Sequence, residues 1–537
     1  MTTQHKPSPL PSTTSTTSFW HTEPSPLLLG HRSTRNLPET VDIVVVGSGI
    51  TGAGIAHSLL NGQHGKRLSV LMLEAREACW GATGRVSVLP YMYFDVLHDS
   101  SRACYTRHFP HQSLGEDTAR SRHGPPPTHQ HTLSYTITID TSSPIDTSQN
   151  GGHCQPLLYS HPTDPSIAHF ELSNFHEIAA LSATIPSAEF VAQPSVHAYY
   201  SASSLAETCA NITALQANYP AIGTHCRVTT DRAELASLRV PTALGAVVTD
   251  LAARMWPYKF VAGVLEGLLT DAEVGARFNL QTCCAVESIA ACEDEGFKWK
   301  VNTGRGAVRT RTVVLATNGY TSHLLPEFAD LIVPCRGQMS ALTPSTDLKG
   351  EKRLSYSYVF LGDKQDDYLI QRPSGKGEQL MFGGGRQFGR TIGVADDSVM
   401  DPQTDDWLTQ TLPRVFGLDT HALEKQMMWS GIMGFSRDEL PWVGPVPGRD
   451  GLYVCGGYTG HGMPNAWLCG KAVSIMAGKA LSGADESEAV DAAVEEVKLP
   501  NCYLLSAQRL ERVRQMPTVL QQDHMTMHKP ELPEISA

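Results

Sequence analysis

Residues 41–62 read VDIVVVGSGITGAGIAHSLLNG, and the parsing of this stretch decides the fold. Val41 to Val46 form a short β-branched run of the kind expected in a buried parallel strand. Gly47, Gly49 and Gly52 follow as GxGxxG. Ile50, Ala53, Ala56, Leu59 and Leu60 then recur at helical spacing, and Gly62 can end the helix. The next stretch, RLSVLMLEAR (67–76), predicts a second strand ending at Glu74, 22 residues beyond Gly52. The first glycine permits a tight turn, the second lets a pyrophosphate approach the backbone, and the third lets the helix pack closely. Ile50 and Thr51 open the helix, whose N-terminus faces phosphate charge. Glu74, followed by Ala75, is placed to accept a ribose hydroxyl. The pattern predicts a dinucleotide-binding half.

Around this unit, 537 residues are enough for two or more domains. The net charge of −12 argues against nucleic-acid or anionic-membrane partners. No run approaches the roughly 20 apolar residues of a membrane helix, and no secretory signal is evident. The twelve cysteines are scattered, without a CxxC pair or zinc spacing. They read as thiols in a reducing compartment, so the expected location is cytoplasmic and the expected metal content is none.

The fold class expected is α/β plus antiparallel β: a Rossmann-like dinucleotide-binding domain, assigned to FAD by the distal loop read below, with a second, mixed-sheet substrate domain. Residues 1–40, crowded with Thr, Ser and Pro, are expected to bury little and form a mobile arm. The nucleotide domain is assigned 41–85, 150–185, 241–330 and 431–514. FNLQTCCAVESI and FKWKVNT read as strands of a small sheet packed on it. VPCRGQMSALT, DYLIQRP and QLMFGGGR read as antiparallel strands of the substrate domain, assigned 186–240 and 331–430. Residues 515–537 read as a loose tail.

The distal stretch GGYTGHGMPNAW (456–467) separates FAD from NAD. A flavin needs a second contact far along the chain, where a glycine-rich loop and a helix N-terminus meet the pyrimidine end of the ring. Gly457, Gly460, His461, Gly462 and Met463 supply such a loop, with backbone N–H groups near His461 to Met463 available to a flavin carbonyl.

Together with LMLEA, GATGR, NGGH, VVLATNGYT, VPCRGQM and WSGIMGFSRDELPWVGP, these stretches resemble the flavoenzymes grouped around D-amino-acid oxidase, glycine oxidase and monomeric sarcosine oxidase. The resemblance is nearest the branch that includes gamma-glutamylputrescine oxidoreductase. It implies that GATGR (81–85) runs directly into NGGH (150–153), so that Thr83, Arg85, Asn150, Gly151 and Gly152 form one cofactor loop. Residues 86–149 then read as an insertion. Two origins stay open: a retained intron, since Val86–Ser87 can be spelled as a splice donor and Gln149 as an acceptor, or a genuine surface lid.

The resemblance also implies oxidation of a carbon–nitrogen bond of a small-molecule amine or amino acid, hydride transfer to the flavin, and O2 as acceptor. The alternatives are a dehydrogenase of the same fold and a flavin-fold protein impaired by the insertion. Ala316, Asn318 and the backbone of Val286 are implied cofactor contacts. His153 lies either beside the flavin ring or as a loop histidine bonded to backbone. His461 either contacts the flavin or caps the helix. Arg372 resembles an arginine that binds a substrate carboxylate, the alternative being a salt bridge; Arg336 is a weaker candidate. Trp256 and Tyr258 are candidates to line the pocket or to pack. Sarcosine oxidases tether flavin through a cysteine, and the matching position here is Gly431, so FAD is expected to be non-covalent. The residues do not settle the oligomeric state.

Overall fold

A computed structural model describes residues 6–62, 67–85, 151–363, 365–419, 421 and 423–519. Two sheets organise the described chain. In the first, five strands run parallel in the order Leu452–Gly456, Gly306–Leu315, Thr40–Val46, Val70–Leu73, Phe278–Gln281. Trp442–Pro445 pairs antiparallel at one edge, and the hairpin Val286–Ala291/Trp299–Thr303 extends Gly306–Leu315. The register sets Val46 beside both Leu73 and Leu315, so three strand ends open on one edge.

Both faces of this sheet are covered, which explains the apolar run read at 41–46, interrupted only by Asp42. Ile43 and Val45 point into the core with the helices Ile50–Asn61 and Ala466–Leu481. Val44 and Val46 point into a second core with Phe328 and Trp442. Gly483, with φ +99°, stands just beyond the second helix and suits its termination.

The second sheet has nine strands, running Glu424–Ser436, Ile332–Thr343, Leu380–Gly384, Gln365–Gln371, Ser357–Gly362, Val191–Tyr199, Gly245–Arg254, His153–Cys154, with Cys226–Thr229 also on Gly245–Arg254. Only the Ser357–Gly362/Val191–Tyr199 pair is parallel. The three strands expected in 333–384 are present and antiparallel.

Several expectations are corrected. His153–Cys154, Gly245–Arg254 and Glu424–Ser436 belong to the second sheet, although the sequence reading placed the first two, and the third from residue 431 onward, with the nucleotide half. Hydropathy marks no boundary there, and strand partners alone decide. Phe278–Gln281 is an edge of the main parallel sheet rather than of a separate small one.

The N-terminal segment does not behave as an arm in its described part. Phe19–His21 form a buried 3-10 turn. Trp20 is 1% exposed and packs edge-on to Trp256 at 5.6 Å, while Trp256 Nε1 donates to Trp20 O at 2.8 Å. His21 stacks on Trp80 at 4.7 Å. Further on, Ser33 N donates to Leu280 O. The aromatic pair outweighs the polar composition that suggested solvent exposure. The tail also begins packed: Val519 is fully buried, and Met516 O accepts from Arg437 Nε at 3.1 Å. The interruption 86–149, Asn150 and residues 520–537 lie outside the described residues. Among the described residues, no helix is long and apolar enough to cross a membrane, and no cluster of metal-binding side chains occurs.

Candidate functional site

The strand ends at Val46 and Leu73 open into a cleft of about 1130 Å³, part of it open to solvent. Of the residues read as cofactor contacts, Gly47, Gly49, Ile50, Thr51, Glu74, Ala75, Thr83, Val286, Ala316, Asn318, Gly460 and Gly462 line it. The backbone explains the glycines. Gly47 has φ +104°, and a Cβ there would stand 2.6 Å from Ala316 O. A Cβ on Gly52 would stand 2.0 Å from Gly47 O, so the third glycine serves the turn itself as well as helix packing. Gly52 accordingly sits behind the lining.

Hydrogen bonds from three remote stretches hold the cleft together. Glu74 Oε2 accepts from Ser48 N at 3.0 Å and Ser48 Oγ at 2.7 Å, and Oε1 accepts from Arg76 N at 3.0 Å. Thr83 Oγ1, from the GATGR stretch, accepts from Ile50 N at 3.1 Å at the start of the helix. Thr51 Oγ1 bonds Tyr458 OH at 2.9 Å, and Asn318 Oδ1 accepts from Gly457 N at 2.9 Å, tying the distal loop to the first. Gly457 thus supports the cleft from behind.

The site fits a dinucleotide. A helix N-terminus capped by Gly49, which has no side chain to block it, faces the opening beneath a turn too tight for any Cβ. Behind it lies a buried charge cluster. Arg76 Nη1 meets Asp397 Oδ2 at 2.8 Å, and Arg85 Nε approaches the same oxygen at 3.2 Å. Glu74, in the same lining and acting on Arg76, is the second carboxylate of this cluster, so the two guanidiniums are balanced there. Burial, with repulsion from Arg76 and only partial compensation by Asp397, lowers the Arg85 pKa to about 10. Arg85 is therefore a structural tie outside the lining, also bonding Ser430 O at 2.9 Å.

The helix Ser166–Ser182 braces the distal loop. Glu171 is 1% exposed; its Oε1 accepts from His461 Nε2 at 2.7 Å and Asn465 Nδ2 at 3.0 Å, and its Oε2 from Leu157 N at 2.7 Å. Asn174 Nδ2 donates to Met463 O at 2.9 Å. His461 and Met463 therefore hold the loop's shape and do not line the cleft. The backbone N–H of His461, expected to face the flavin, donates to Tyr458 O at 2.8 Å.

Three expectations place residues elsewhere. Gly151, Gly152 and His153 pack against the second sheet: a Cβ on Gly151 would meet the Tyr368 ring at 2.7 Å, and one on Gly152 would meet Met255 O at 2.8 Å. His153 is fully buried, edge-on to Tyr368 at 6.1 Å, and burial with the nearby His197 lowers its pKa to about 3, so it is neutral. Arg372 is not an open carboxylate anchor. Its Nη2 pairs with Glu189 at 3.1 Å, its Nη1 donates to Gln379 Oε1 at 2.9 Å, and its plane lies 4.5 Å over Trp256. Both terminal nitrogens are engaged within its own sheet neighbourhood, while Nε is buried without a hydrogen-bond partner among the described residues. Trp256 and Tyr258 are packing residues, Tyr258 OH accepting from Ser25 N at 3.0 Å. Arg336 stands on Ile332–Thr343, and Gly431 pairs with Gly337 across that strand.

Sequence reasoning missed Arg76, Tyr320, Ile432, Met433 and Tyr458, all of which line the cleft. Arg76, two residues past Glu74, and Tyr458, inside the glycine loop, carried a positional signal. Leu10 and Pro11, also in the lining, carried none.

Comparison with known proteins follows this geometry. A family model described as DAO, FAD dependent oxidoreductase, matches residues 42–108 and 143–475, and its gap falls inside the stretch read as an interruption. The chain is 26% identical over 187 residues to the probable oxidoreductase OrdL of Rhizobium meliloti (strain 1021), covering 34% of this chain and 40% of that protein. The aligned stretch thus spans less than half of that relative's length. In three dimensions the chain is similar to L-proline dehydrogenase from P. horikoshii, with TM-score 0.56, 16% identity, and 83% and 94% of the two chains covered. It is similar to glycine oxidase from Geobacillus kaustophilus, with TM-score 0.55, 16% identity, and 81% and 93% covered. Against L-amino acid deaminase from Proteus vulgaris the TM-score is 0.54, with 14% identity and 85% and 97% covered. At these identities the likeness is one of fold.

Proposed function

The chain belongs to the DAO family of FAD-dependent oxidoreductases, and we propose that it oxidises the carbon–nitrogen bond of a small-molecule amine or amino acid, with dioxygen as the acceptor. One observation carries the reading. The first glycine loop with Glu74, and the distal loop hundreds of residues later in sequence, line a single cleft. When bound, FAD supplies the two-electron acceptor for converting an amine to an imine, which water hydrolyses.

The chain's own groups orient and hold. Gly47 and Gly49 admit a pyrophosphate to the backbone, Glu74 keeps one lone pair of Oε1 for a ribose hydroxyl, and Gly460 and Gly462 form the wall at the flavin end. Glu171 positions His461 and thereby the loop on which the ring end depends. We assign His153 a neutral, structural place on the second sheet and assign the substrate carboxylate to no single arginine, because Arg372 is engaged by Glu189. We take FAD to be held without a covalent bond, because Gly431 stands where sarcosine oxidases carry the tethering cysteine. All eleven described cysteines are free thiols, in keeping with a cytoplasmic setting.

The test is a panel of amines and amino acids, gamma-glutamylated putrescine included, mixed with the yellow holoprotein under nitrogen. Bleaching by a panel member and peroxide formation in air support the proposal. Bleaching without peroxide assigns the electrons to another acceptor. A holoprotein that no amine bleaches contradicts the proposed chemistry. Yellow colour that remains with acid-precipitated protein contradicts non-covalent binding.

A further inference from the structure

We infer that residues 8–20 are part of the cofactor site, forming a strap that crosses the mouth of the cleft and slows the entry and exit of FAD. The inference rests on the reading that this cleft holds FAD. Leu10 and Pro11 line the cleft, although they stand more than thirty residues before the glycine motif. The segment is fastened on both banks. On one side Ser8 N donates to Ser322 Oγ at 2.9 Å and Ser8 Oγ donates to Gly319 O at 2.9 Å; Gly319 is itself a lining residue. His323, also in the lining, bonds Ser8 O at 3.3 Å.

On the other side Thr16 N donates to Asp397 O at 2.9 Å, and Thr16 Oγ1 accepts from Ser430 N at 3.0 Å and Arg85 Nη2 at 2.7 Å. Ser18 Oγ donates to Gly84 O at 2.8 Å, next to the lining residue Thr83. Trp20 then anchors the strap in the core against Trp256. Leu10 is 37% exposed, so its chain bridges cleft and solvent instead of filling the core. The contacts that order the strap are hydrogen bonds, each worth roughly 0.5–1.5 kcal/mol net, whereas Trp20 is held by full burial. The strap can therefore lift at Ser8 to Pro11 while its root stays fixed. A molecule as long as a dinucleotide, lying under it, leaves only after that release.

The test uses the full chain loaded with FAD and two variants. Deletion of residues 1–12 removes Ser8, Leu10 and Pro11 but keeps Thr16, Ser18 and Trp20. The double variant Ser8→Cys, Ser322→Cys exploits the 2.9 Å separation of the two hydroxyls to lock the strap by a disulfide. FAD release is followed by filtration into FAD-free buffer, and uptake by titrating FAD into the stripped protein. The deletion is expected to speed release and uptake at least fivefold, and the oxidised double variant to release FAD at least fivefold more slowly than its reduced form. Rates within twofold of the parent in the deletion, or equal rates in the oxidised and reduced forms with the cross-link verified by mass, overturn the strap. If the truncated chain does not fold, the cross-linked pair decides. A parent that binds no FAD overturns the reading of the cleft and the strap with it.

Discussion

The nucleotide loops and the N-terminal segment meet at one cleft, yet they are built by opposite means. The loops owe their place to local backbone geometry. Gly47 and Gly52 sit where a Cβ would strike a carbonyl, and the strand–turn–helix around them is written in one continuous stretch, 40–61. The N-terminal segment owes its place to remote partners: Ser322, Asp397, Ser430 and Trp256 lie hundreds of residues away. A rule of local spacing finds the first kind of element and is blind to the second.

The contrast is sharpest at Gly52. Gly52→Val places a side chain where only 2.0 Å separates its Cβ from Gly47 O, so the turn must open. The expected result is loss of FAD binding by ~100-fold or more, about 2.7 kcal/mol, in an equilibrium titration. Retention of parental affinity would mean that the turn does not carry the cofactor.

Trp20→Ala probes the other means of construction. Removing an indole that is 1% exposed should cost about 3–5 kcal/mol in a denaturant titration. A loss below about 1 kcal/mol would return the segment to the status of an appended arm.

A pH series compares one histidine of the N-terminal segment with one on the second sheet. Burial, with the positive charge of Arg85 and Arg76, lowers His21 in the N-terminal turn to about 3; burial, with His197, lowers His153 on the second sheet to about 3. Their ordinary value is 6.5. Between those values the unfolded chain binds more protons than the folded one. Stability therefore rises with pH across this window and is lost as pH falls below about 6.5, by about 1.4 kcal/mol per pH unit for each group. His21→Phe and His153→Leu should each flatten the acid limb by about one proton. An unchanged slope in either variant would show that its histidine is not held neutral.

The smallest effect is expected at the seam between the first and distal loops. Thr51→Val removes the bond to Tyr458 OH and should cost about 1 kcal/mol in FAD affinity, roughly fivefold. No change in affinity would mean that the two loops are positioned independently.

Much of the nucleotide half was legible because period and glycine spacing are properties of neighbouring residues: the strand, turn, helix and second strand of 41–74 stand where their pattern put them. The candidate substrate residues were less legible. Arg372 sits at the end of a strand, as expected, but its partner Glu189 comes from a separate segment and no spacing announces it. His153 follows two glycines as the resemblance implies, yet it pairs with Arg254 across the second sheet and closes inward. The strands 245–254 and 424–436 look like any buried strand until their hydrogen-bond partners are known. Composition misled at residues 6–40, where two aromatics outweigh a run of Ser, Thr and Pro.

A crystal structure of the FAD-loaded protein tests the central claim most directly. Density for one FAD with its pyrophosphate at Gly47–Gly49 and its ring against the 458–462 loop is the predicted result. An FAD bound elsewhere, or a cleft that stays empty at saturating FAD, would contradict the account.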